Sequence, residues 1–488
     1  MEEKKIAENP PVKPPDLQLP EPLKKSVFNS FIMEVALVQG LSGITAGVFF
    51  TGYLCLFGAT NKQIGWITSI PLLANFAAPL YSFFIDRSTN KKKLYFKAVL
   101  PYRLLWFFAA AIPFLVYFKV VASPLLFFSA IFAIMSLFVT YSSIVWTSWM
   151  GALIPWNQRG YYFGRRTYVA NFSAVLLTLF GGWYIDKWNS VNPHFGFGSL
   201  FALAAVFGII ALVVQKRIPE VPGTGDASSE ASVLDIPKKL WEITKNNNFM
   251  RLVLFNTTWA FIMGLTGVFM NVFLIREVKM SYKYIAIFSV VTLFTRLLIT
   301  GFWGKMMDKY GYKPVMLICG RFLGLIPLLM IFVGWNMWFM VPQSIIAGLF
   351  WPGMEVGQFN IMFRLTPRNQ RALYLAFNTI LTSLVAFIGP VCGGYLIDWM
   401  GPVNFKLLFL QIGAFQLLFF AGAVLRNLPV FILRKVEEPK EAAEEHVFGV
   451  VRSTIGVGLM EGLGAMRNYM LIPVQRAGEF IDQMREKK

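Results

Sequence analysis

Residues 181–186 read Gly-Gly-Trp-Tyr-Ile-Asp, and residues 393–398 read Gly-Gly-Tyr-Leu-Ile-Asp, 212 positions later. At the same offset, Pro155-Trp-Asn-Gln-Arg159 matches Pro367-Arg-Asn-Gln-Arg371. Both copies keep the order of the two motifs and the 26-residue spacing from the proline to the glycine pair. Two motif pairs at one offset indicate an internal duplication, the sequence mark of a protein built from two parallel repeats.

Outward from these motifs, the chain is a series of apolar runs with short polar loops between them. A membrane-spanning helix needs about 20 mostly apolar residues. The runs of about this length lie near 27–57, 63–85, 95–118, 122–152, 168–186, 197–215, 249–275, 283–305, 314–334, 337–363, 370–398 and 404–427. Residues 217–248 include Pro-Gly-Thr-Gly-Asp-Ala-Ser-Ser and read as a flexible linker that divides the runs into two sets of six.

We therefore predict an all-α membrane protein with about 12 transmembrane helices in two six-helix bundles. The predicted division is a cytoplasmic proline-rich tail at 1–26, an N-terminal bundle at 27–216, a cytoplasmic linker at 217–248, a C-terminal bundle at 249–427 and a cytoplasmic tail at 428–488. In this last tail, apolar residues recur every three or four positions, which predicts an amphipathic helix. We expect it on the membrane interface or on the bundle, where Gly458 and Gly462 permit close approach.

The composition supports a membrane protein and argues against nucleic-acid binding. Hydrophobic residues make up 56% of the chain and charged residues only 15%, too few to solvate the surface of soluble domains. The net charge of +19 comes from short basic runs between apolar stretches, such as Lys91 to Lys93. By the positive-inside rule, both termini and the linker are cytoplasmic, and we expect a monomeric multi-pass protein of the plasma (inner cell) membrane.

Cysteine and histidine usage bears on metal sites and enzymatic activity. The three cysteines lie far apart in apolar runs, and the chain has only two histidines, His194 and His446. This pattern favours neither a disulfide framework nor a metal cluster. With no nucleophile motif at a helix end, we predict no metal, no cofactor and no enzymatic activity.

The loop between the eighth and ninth runs carries a recognisable pattern. It reads Gly304-Lys-Met-Met-Asp308-Lys309-Tyr-Gly311-Tyr-Lys313, and the first half contains Asp86-Arg87 at the corresponding place, 222 positions earlier. The loop resembles the signature of the major facilitator superfamily. This resemblance implies two bundles that alternate access to a central cavity lined by the first, fourth, seventh and tenth helices. It also implies a cytoplasmic gate formed by Asp86, Arg87, Gly304, Asp308, Lys309, Gly311 and Lys313.

Among the ionisable residues inside predicted spans, three are candidates for function, since each costs roughly 2.5–3.5 kcal/mol there and usually has a partner or a function. Glu34 lies in the first span with Ser30 and Thr45 on its face; it either takes a coupling proton, as the resemblance implies, or is a structural acid. Arg296, in the eighth span, suits a bidentate contact to a solute carboxylate or phosphate. Alternatively, it is the permanent counter-ion of Glu34 or of Glu355 in the tenth span.

Polar and aromatic residues extend this candidate cavity. Trp351 and Gln358 flank Glu355 on one helical face, and at the offset of 212 Ser143 corresponds to Glu355 and Trp146 to Gln358. Asn256 and Trp259 share a face of the seventh span. The predicted cavity set is Glu34, Ser143, Trp146, Asn256, Trp259, Arg296, Trp351, Glu355 and Gln358. Arg103 and Arg321 lie near span ends, and we expect both to extend to the cytoplasmic interface.

These observations predict a secondary active transporter of a small organic solute, anionic or amphipathic, that works by alternating access with proton coupling. Its partners would be that solute, the lipid bilayer and a proton or other ion. The alternative is a protein of the same fold that does not cycle and acts as a scaffold, assembly factor or receptor. Charged residues on cavity helices favour the transporter.

Overall fold

The computed structural model describes residues 21–78, 81, 85, 88, 90–154, 159–220, 236–367, 370–401, 403–408, 410–439 and 442–485. Side-chain surroundings are described for the same residues except 21–27, 152, 159–163, 236–239, 372 and 466–485. Within these ranges the chain is almost entirely helical. Eleven segments are long and apolar enough to cross a membrane.

Seven helices form the first half of the described chain. They are α1 (Glu21–Gly43), α2 (Gly47–Leu56), α3 (Asn61–Phe76), α4 (Lys91–Tyr117), α5 (Pro124–Leu153), α6 (Arg159–Asn189) and α7 (Pro193–Gln215). The first predicted span is broken between α1 and α2, where Ala46 is extended and Gly47 has a φ of +57°, a conformation open to glycine. The sequence predicted that Thr45 shares a helical face with Glu34. This prediction is wrong because the helix ends before Thr45, whose hydroxyl donates to the Leu41 carbonyl at 2.7 Å.

The second half repeats this plan with more interruptions. Its elements are α8 (Ile236–Thr244), α9 (Asn247–Arg276), α10 (Tyr282–Tyr310), α11 (Tyr312–Leu323), α12 (Leu325–Val333), a 3₁₀ turn (Met337–Phe339), α13 (Met340–Leu365), α14 (Arg371–Trp399), β1 (Asn404–Leu407), β2 (Leu410–Gly413), α15 (Ala414–Leu425), α16 (Asn427–Arg434) and α17 (Glu444–Arg485). Helix α8 lies inside the segment that we expected to be a flexible linker.

The twelfth span differs from its prediction near 404–427. Residues Asn404–Leu407 and Leu410–Gly413 pair as an antiparallel hairpin, with Asn404 opposite Gly413. The apolar residues Phe405 and Leu407 made this stretch look like part of a span, yet the whole first strand is exposed. The membrane-length helical segment is instead Ala414–Arg434, which comprises α15 and α16.

Aromatic and aliphatic side chains form buried clusters within each half and one cluster that both halves share. In the first half, α1 packs on α6 and α7, and α4 packs on α5 and α7. At its centre Tyr53 stacks on Phe201 with ring centroids 4.6 Å apart, and its hydroxyl donates to the Ala109 carbonyl at 2.6 Å. In the second half, α14 packs on α9, and α13 packs on α10 and α11. The cluster around Tyr53 and Phe201 continues into Phe269 and Phe273 of α9, so the two bundles share part of their buried core.

The halves meet mainly through two pairs of helices, α3 with α14 and α6 with α10, and Arg276 at the end of α9 also donates to the Ala59 carbonyl of the first half. We call the helix ends that carry Lys91–Lys93 and the 217–248 segment the basic side, and the other ends the opposite side. The close contacts lie towards the opposite side: a methyl group on Gly65 would stand 2.3 Å from the Pro390 carbonyl oxygen, and the Ser69 hydroxyl donates to Phe387 at 3.0 Å. This geometry closes the opposite side between the bundles.

Helix α17 packs along α10 and α11. A methyl group on Gly458 would meet the Phe302 ring, and one on Gly462 would stand 2.0 Å from the Leu298 carbonyl oxygen. Lys305 of α10 pairs with Glu461 at 2.7 Å. The described side chains of this helix contact the bundle, and residues 444–465 are also long and apolar enough to cross a membrane.

Candidate functional site

The first half holds a buried carboxylate. Glu34 of α1 is 2% exposed, and its Oε1 accepts a hydrogen bond from Gln215 Nε2 of α7 at 2.7 Å. Its Oε2 lies 3.5 Å from Arg166 Nη2 of α6. Gln215 also donates to the Tyr95 hydroxyl of α4 at 2.8 Å. Three helices thus hold this acid in the core of the bundle through an ion pair and an amide.

Arg166 is held in turn by aromatic rings. Its guanidinium carbon lies 4.3 Å from the Trp146 ring centroid and 5.2 Å from that of Phe31. The two rings stack on each other, with centroids 6.1 Å apart. A guanidinium suits such a site because it is planar and weakly hydrated. The side chain of Arg166 keeps 22% exposure, so the pair connects a buried acid to a more open region.

The second half holds the same cluster in neutral form. At the repeat offsets, Glu34 corresponds to Asn256 (222 positions later), and Arg166 corresponds to Asn378 (212 positions later). Asn256 Nδ2 donates to Asn378 Oδ1 at 3.0 Å, which matches the contact between Glu34 and Arg166. Gln358, the equivalent of Trp146, lies with its Nε2 3.5 Å from Asn256 Oδ1. The duplication therefore preserved the contact and replaced the charges by amides.

The two charged residues of the predicted cavity in the second half lie between α10 and α13. Arg296 Nη1 donates to Glu355 Oε1 at 3.1 Å, and Nη2 donates to Glu355 Oε2. Both side chains remain open, with 39% and 44% exposure. Of the three roles considered for Arg296, this geometry places it beside Glu355 rather than Glu34. A pair this exposed can open to admit another anion.

Aromatic side chains border this region of the second half. Trp259 of α9 is buried, and its ring meets that of Trp351 edge-on with centroids 6.1 Å apart. Trp351 is one helical turn from Glu355 on α13. In the first half, Ser143 is exposed and its hydroxyl donates to the Thr140 carbonyl at 2.8 Å. The structure therefore gives the predicted cavity residues two centres, one in each bundle.

Several buried polar residues differ from the sequence predictions. Arg103 does not extend to the interface: it is 3% exposed and donates to the Gly208 carbonyl at 2.5 Å. Arg166, which is not in the predicted cavity set, lies beside Glu34. Arg426, which we did not single out, is 2% exposed and donates to the Leu323 carbonyl at 2.6 Å. No sequence signal distinguishes Arg166 from the basic residues beside it, and none marks Arg426 as buried.

The candidate gate is described only in its second copy, because Asp86 and Arg87 lie outside the described residues. Gly311 has a φ of +97° and joins α10 to α11. Asp308 is exposed and forms no ion pair within the described chain. Lys309 lies 5.0 Å from the Tyr310 ring, and a methyl group on Gly304 would meet no described atom within 4 Å.

The N-terminus of α11 is capped from the tail instead. The backbone N–H groups of Tyr312 and Lys313 donate to the Glu438 carboxylate at 3.1 and 2.7 Å. Arg364 also donates to this carboxylate, at 2.6 Å. Arg321 pairs with Glu444 at 2.7 Å rather than extending freely to the interface. The segment after α16 therefore ties the basic side of the second bundle together.

Metal chemistry finds no support in the described part of the chain, where no three His, Cys, Asp or Glu side chains are placed to share an ion. The three cysteines are free thiols. The site instead consists of ion pairs, amides and aromatic rings on helices of a two-bundle membrane protein, the arrangement of a polytopic transporter.

Comparison with known proteins identifies the family. The sequence profile of the Major Facilitator Superfamily matches residues 35–301 and 260–469, so the chain belongs to that superfamily. The family and its fold make the protein a secondary transporter and not an enzyme. No curated protein sequence matches the chain.

Solved structures share the fold at low sequence identity. A single-residue mutant of the nucleoside transporter NupG superposes with a TM-score of 0.68 and 13% identity over 84% of this chain and 100% of its own. A D-xylose-proton symporter gives 0.63 and 13% over 86% and 98%. The inward-open xylose transporter XylE from E. coli gives 0.60 and 12% over 88% and 99%. These similarities describe the fold alone.

Proposed function

We propose that the protein transports a small organic solute, anionic or amphipathic, by alternating access coupled to a proton. The observation that carries this proposal is the pair of Arg296 and Glu355. Both guanidinium Nη atoms contact the carboxylate, while about two-fifths of each side chain stays exposed. A solute carboxylate or phosphate can accept hydrogen bonds from Nη1 and Nη2 of Arg296, the two donors that Glu355 now occupies.

The coupling follows from competition for Arg296. When a proton binds Glu355, the carboxyl becomes neutral and its hold on the guanidinium weakens. Arg296 then presents two donors to an anionic solute, beside the rings of Trp351 and Trp259. Release of the solute on the other side of the membrane restores the pair and expels the proton. One proton would therefore move with each anionic group.

Glu34 and Arg166 form a second ion pair, in the first half and at a position that is not equivalent to Arg296 and Glu355. Their pair is more buried than that of Arg296 and Glu355, and Trp146 holds the arginine in place. We assign Glu34 the role of a second proton site and Arg166 the role of its counter-ion. Burial disfavours the charged form of a carboxyl and a nearby arginine favours it, so small movements of Arg166 change the proton affinity of Glu34.

The membrane placement follows the loop charges. The basic side would face the cytoplasm by the positive-inside rule, with both termini on that side, in the plasma (inner cell) membrane as a monomer. Because the bundles are closed towards the opposite side, the conformation described above would be open to the cytoplasm. The existence of a proton-coupled xylose carrier with the same fold is compatible with proton coupling.

A thermal-shift screen of the purified protein tests the solute class. The compounds are organic acids, sugars, nucleosides, peptides and lipophilic cations, each at two pH values. A ligand at about 100 times its Kd stabilises by roughly 2.7 kcal/mol, which is measurable. We expect an organic anion to stabilise the protein, more strongly at the lower pH.

Variants then test the role of each charge. Arg296→Ala should abolish the stabilisation, and Glu355→Gln should keep solute binding but remove its pH dependence. Lys305→Ala is the control, because this exposed lysine of α10 pairs with Glu461 on α17. If Glu355→Gln and Glu34→Gln both leave proton-driven uptake intact, coupling lies elsewhere. Stabilisation by no compound would favour a scaffold that does not cycle.

A further inference from the structure

Asp186, at the end of α6, caps the first turn of a helix in the other bundle. Its Oδ1 accepts from the Tyr282 backbone N–H at 2.8 Å, and its Oδ2 accepts from that of Lys283 at 2.7 Å. Ser281, the residue before α10, makes no side-chain cap of its own. A carboxylate at a helix N-terminus is stabilised by the free N–H groups and by the helix dipole.

Asp398, at the end of α14, makes the reciprocal contact. Its Oδ2 accepts from the Lys62 backbone N–H at 3.2 Å, and its Oδ1 accepts from the Asn61 side chain at 2.8 Å. Lys62 stands at the start of α3, as Lys283 stands at the start of α10. Asp186 and Asp398 are the last residues of the duplicated motif, so the repeat itself produces both contacts.

A glycine of the same motif lets each pair of helices approach. A methyl group on Gly182 would stand 2.8 Å from the Tyr282 carbonyl oxygen, and one on Gly394 would stand 2.4 Å from that of Asn61. These distances are shorter than a carbon and an oxygen tolerate. Each copy of the motif thus combines a glycine for close approach with an aspartate that caps the helix it approaches.

We propose that Asp186 and Asp398 form one two-part latch that holds the opposite side of the transporter closed. Each aspartate is a positioning residue that joins the end of one bundle to the start of a helix in the other. Because each bundle moves as a packed unit, both contacts break together when this side opens. The inference rests on the alternating access proposed above, and it adds the residues that set the balance between the two conformations.

The test measures opening at one helix pair after the latch at the other is removed. Ser69 of α3 is fully buried where α3 meets α14, so Ser69→Cys reports on that interface. The reporter protein also carries Cys55→Ala and Cys392→Ala, and it keeps Cys319, which is fully buried within the second bundle. The purified protein is treated with a small maleimide, and the rate of modification of each thiol is measured.

Both aspartate variants should raise the reactivity of the Ser69→Cys thiol. Loss of a cap to alanine corresponds to a roughly fivefold shift in an equilibrium, so Asp398→Ala and Asp186→Ala should each increase the rate by about fivefold, and the double variant by about 25-fold. The effect of Asp186→Ala decides the question, because within the described residues the hydrogen bonds that Asp186 accepts join α6 to α10 and do not involve α3 or α14. If it leaves the rate unchanged, the two contacts open independently and the proposal is wrong.

Two further variants control for helix capping and for folding. Asn192→Ala removes the cap that accepts from His194 at 3.0 Å, within the first bundle on the same side, and should leave the rate unchanged. Modification of the buried Cys319 would show that an aspartate variant has unfolded. In that case Gly182→Ala serves as the test, because the added methyl group forces α6 away from α10 and should raise the rate of Ser69→Cys modification. No change with Gly182→Ala would contradict the latch. The assay contains no solute and no proton gradient, so its failure leaves the assignments of solute and coupling untouched.

Discussion

The two bundles place the same contact at equivalent positions and fill it with different chemistry. In the first half, Glu34 and Arg166 form an ion pair, whereas in the second half Asn256 and Asn378 form an amide hydrogen bond. The helices that supply the residues correspond, so the two repeats share the geometry of the contact and differ in its charge. Among the predicted cavity residues of the second half, the ion pair lies elsewhere, at Arg296 and Glu355.

The two ion pairs differ in burial, and this sets what each can do. Glu34 is 2% exposed, so removal of its partner leaves a charge that water cannot reach. Such a loss costs about 3–5 kcal/mol. Arg296 and Glu355 are about two-fifths exposed, and pairs of this kind contribute about 0–1 kcal/mol. The first pair is therefore important for stability, and the second is free to exchange partners.

The largest expected effect is on the stability of the first bundle. Arg166→Met keeps much of the side-chain length but removes the charge, so Glu34 loses its counter-ion inside the protein. We expect the free energy of unfolding to fall by about 3–5 kcal/mol, measured by denaturation in mild detergent. Asn378→Ala at the equivalent position should cost only about 1–3 kcal/mol, because it leaves a neutral amide unsatisfied.

A double variant separates the ion pair from general packing damage. Glu34→Gln combined with Arg166→Met replaces both charges, so the doubly substituted protein should be more stable than Arg166→Met alone by about 1–3 kcal/mol. If the two substitutions are instead additive, Arg166 and Glu34 do not interact energetically. In that case, the ion pair of the first half would be close in space but would contribute no more to stability than the amide pair of the second half.

The next effect is on solute binding in the second bundle. Arg296→Ala removes two charge-assisted donors, each hydrogen bond to a charged group contributing about 1.5–3 kcal/mol. We expect at least a tenfold weaker Kd for the anion identified by thermal shift, measured by isothermal titration calorimetry. Stability in the absence of solute should change by less than about 1 kcal/mol. A large loss of stability with unchanged affinity would assign Arg296 a structural role.

The sequence predicted the two-bundle membrane fold because the signals involved are long or duplicated. Runs of about 20 apolar residues are specific for spanning helices, and two motifs at one offset defined the repeat. The hairpin before α15 was missed since Phe405, Leu407 and Leu408 have the same hydropathy in a span as in an exposed strand. Hydropathy carries no information on the backbone hydrogen bonds that pair residues 404–407 with 410–413.

The candidate sites were predicted only in part, because partners depend on contacts between distant helices. Arg166 stands near basic residues at a helix start, where the positive-inside rule already explains a charge. Only the fold shows that its side chain reaches Glu34, 132 positions earlier. The duplicated motif identified Asp186 and Asp398 as equivalent residues. The sequence of one bundle does not indicate that each aspartate caps a helix of the other bundle. The sequence did predict Glu355 as one of two alternative counter-ions of Arg296, since both are ionisable residues in predicted spans.

The smallest effect tests whether the first bundle touches the solute at all. Ser143 is the equivalent of Glu355, but its exposed hydroxyl can offer only a neutral hydrogen bond, which contributes about 0.5–1.5 kcal/mol. Ser143→Ala should therefore weaken solute binding by about two- to tenfold in the same calorimetric assay. Ser142→Ala is the matched control, because this neighbour is buried and donates to the Val139 carbonyl at 3.0 Å. Equal affinity in both variants would mean that the second bundle alone binds the solute, while the first serves the proton.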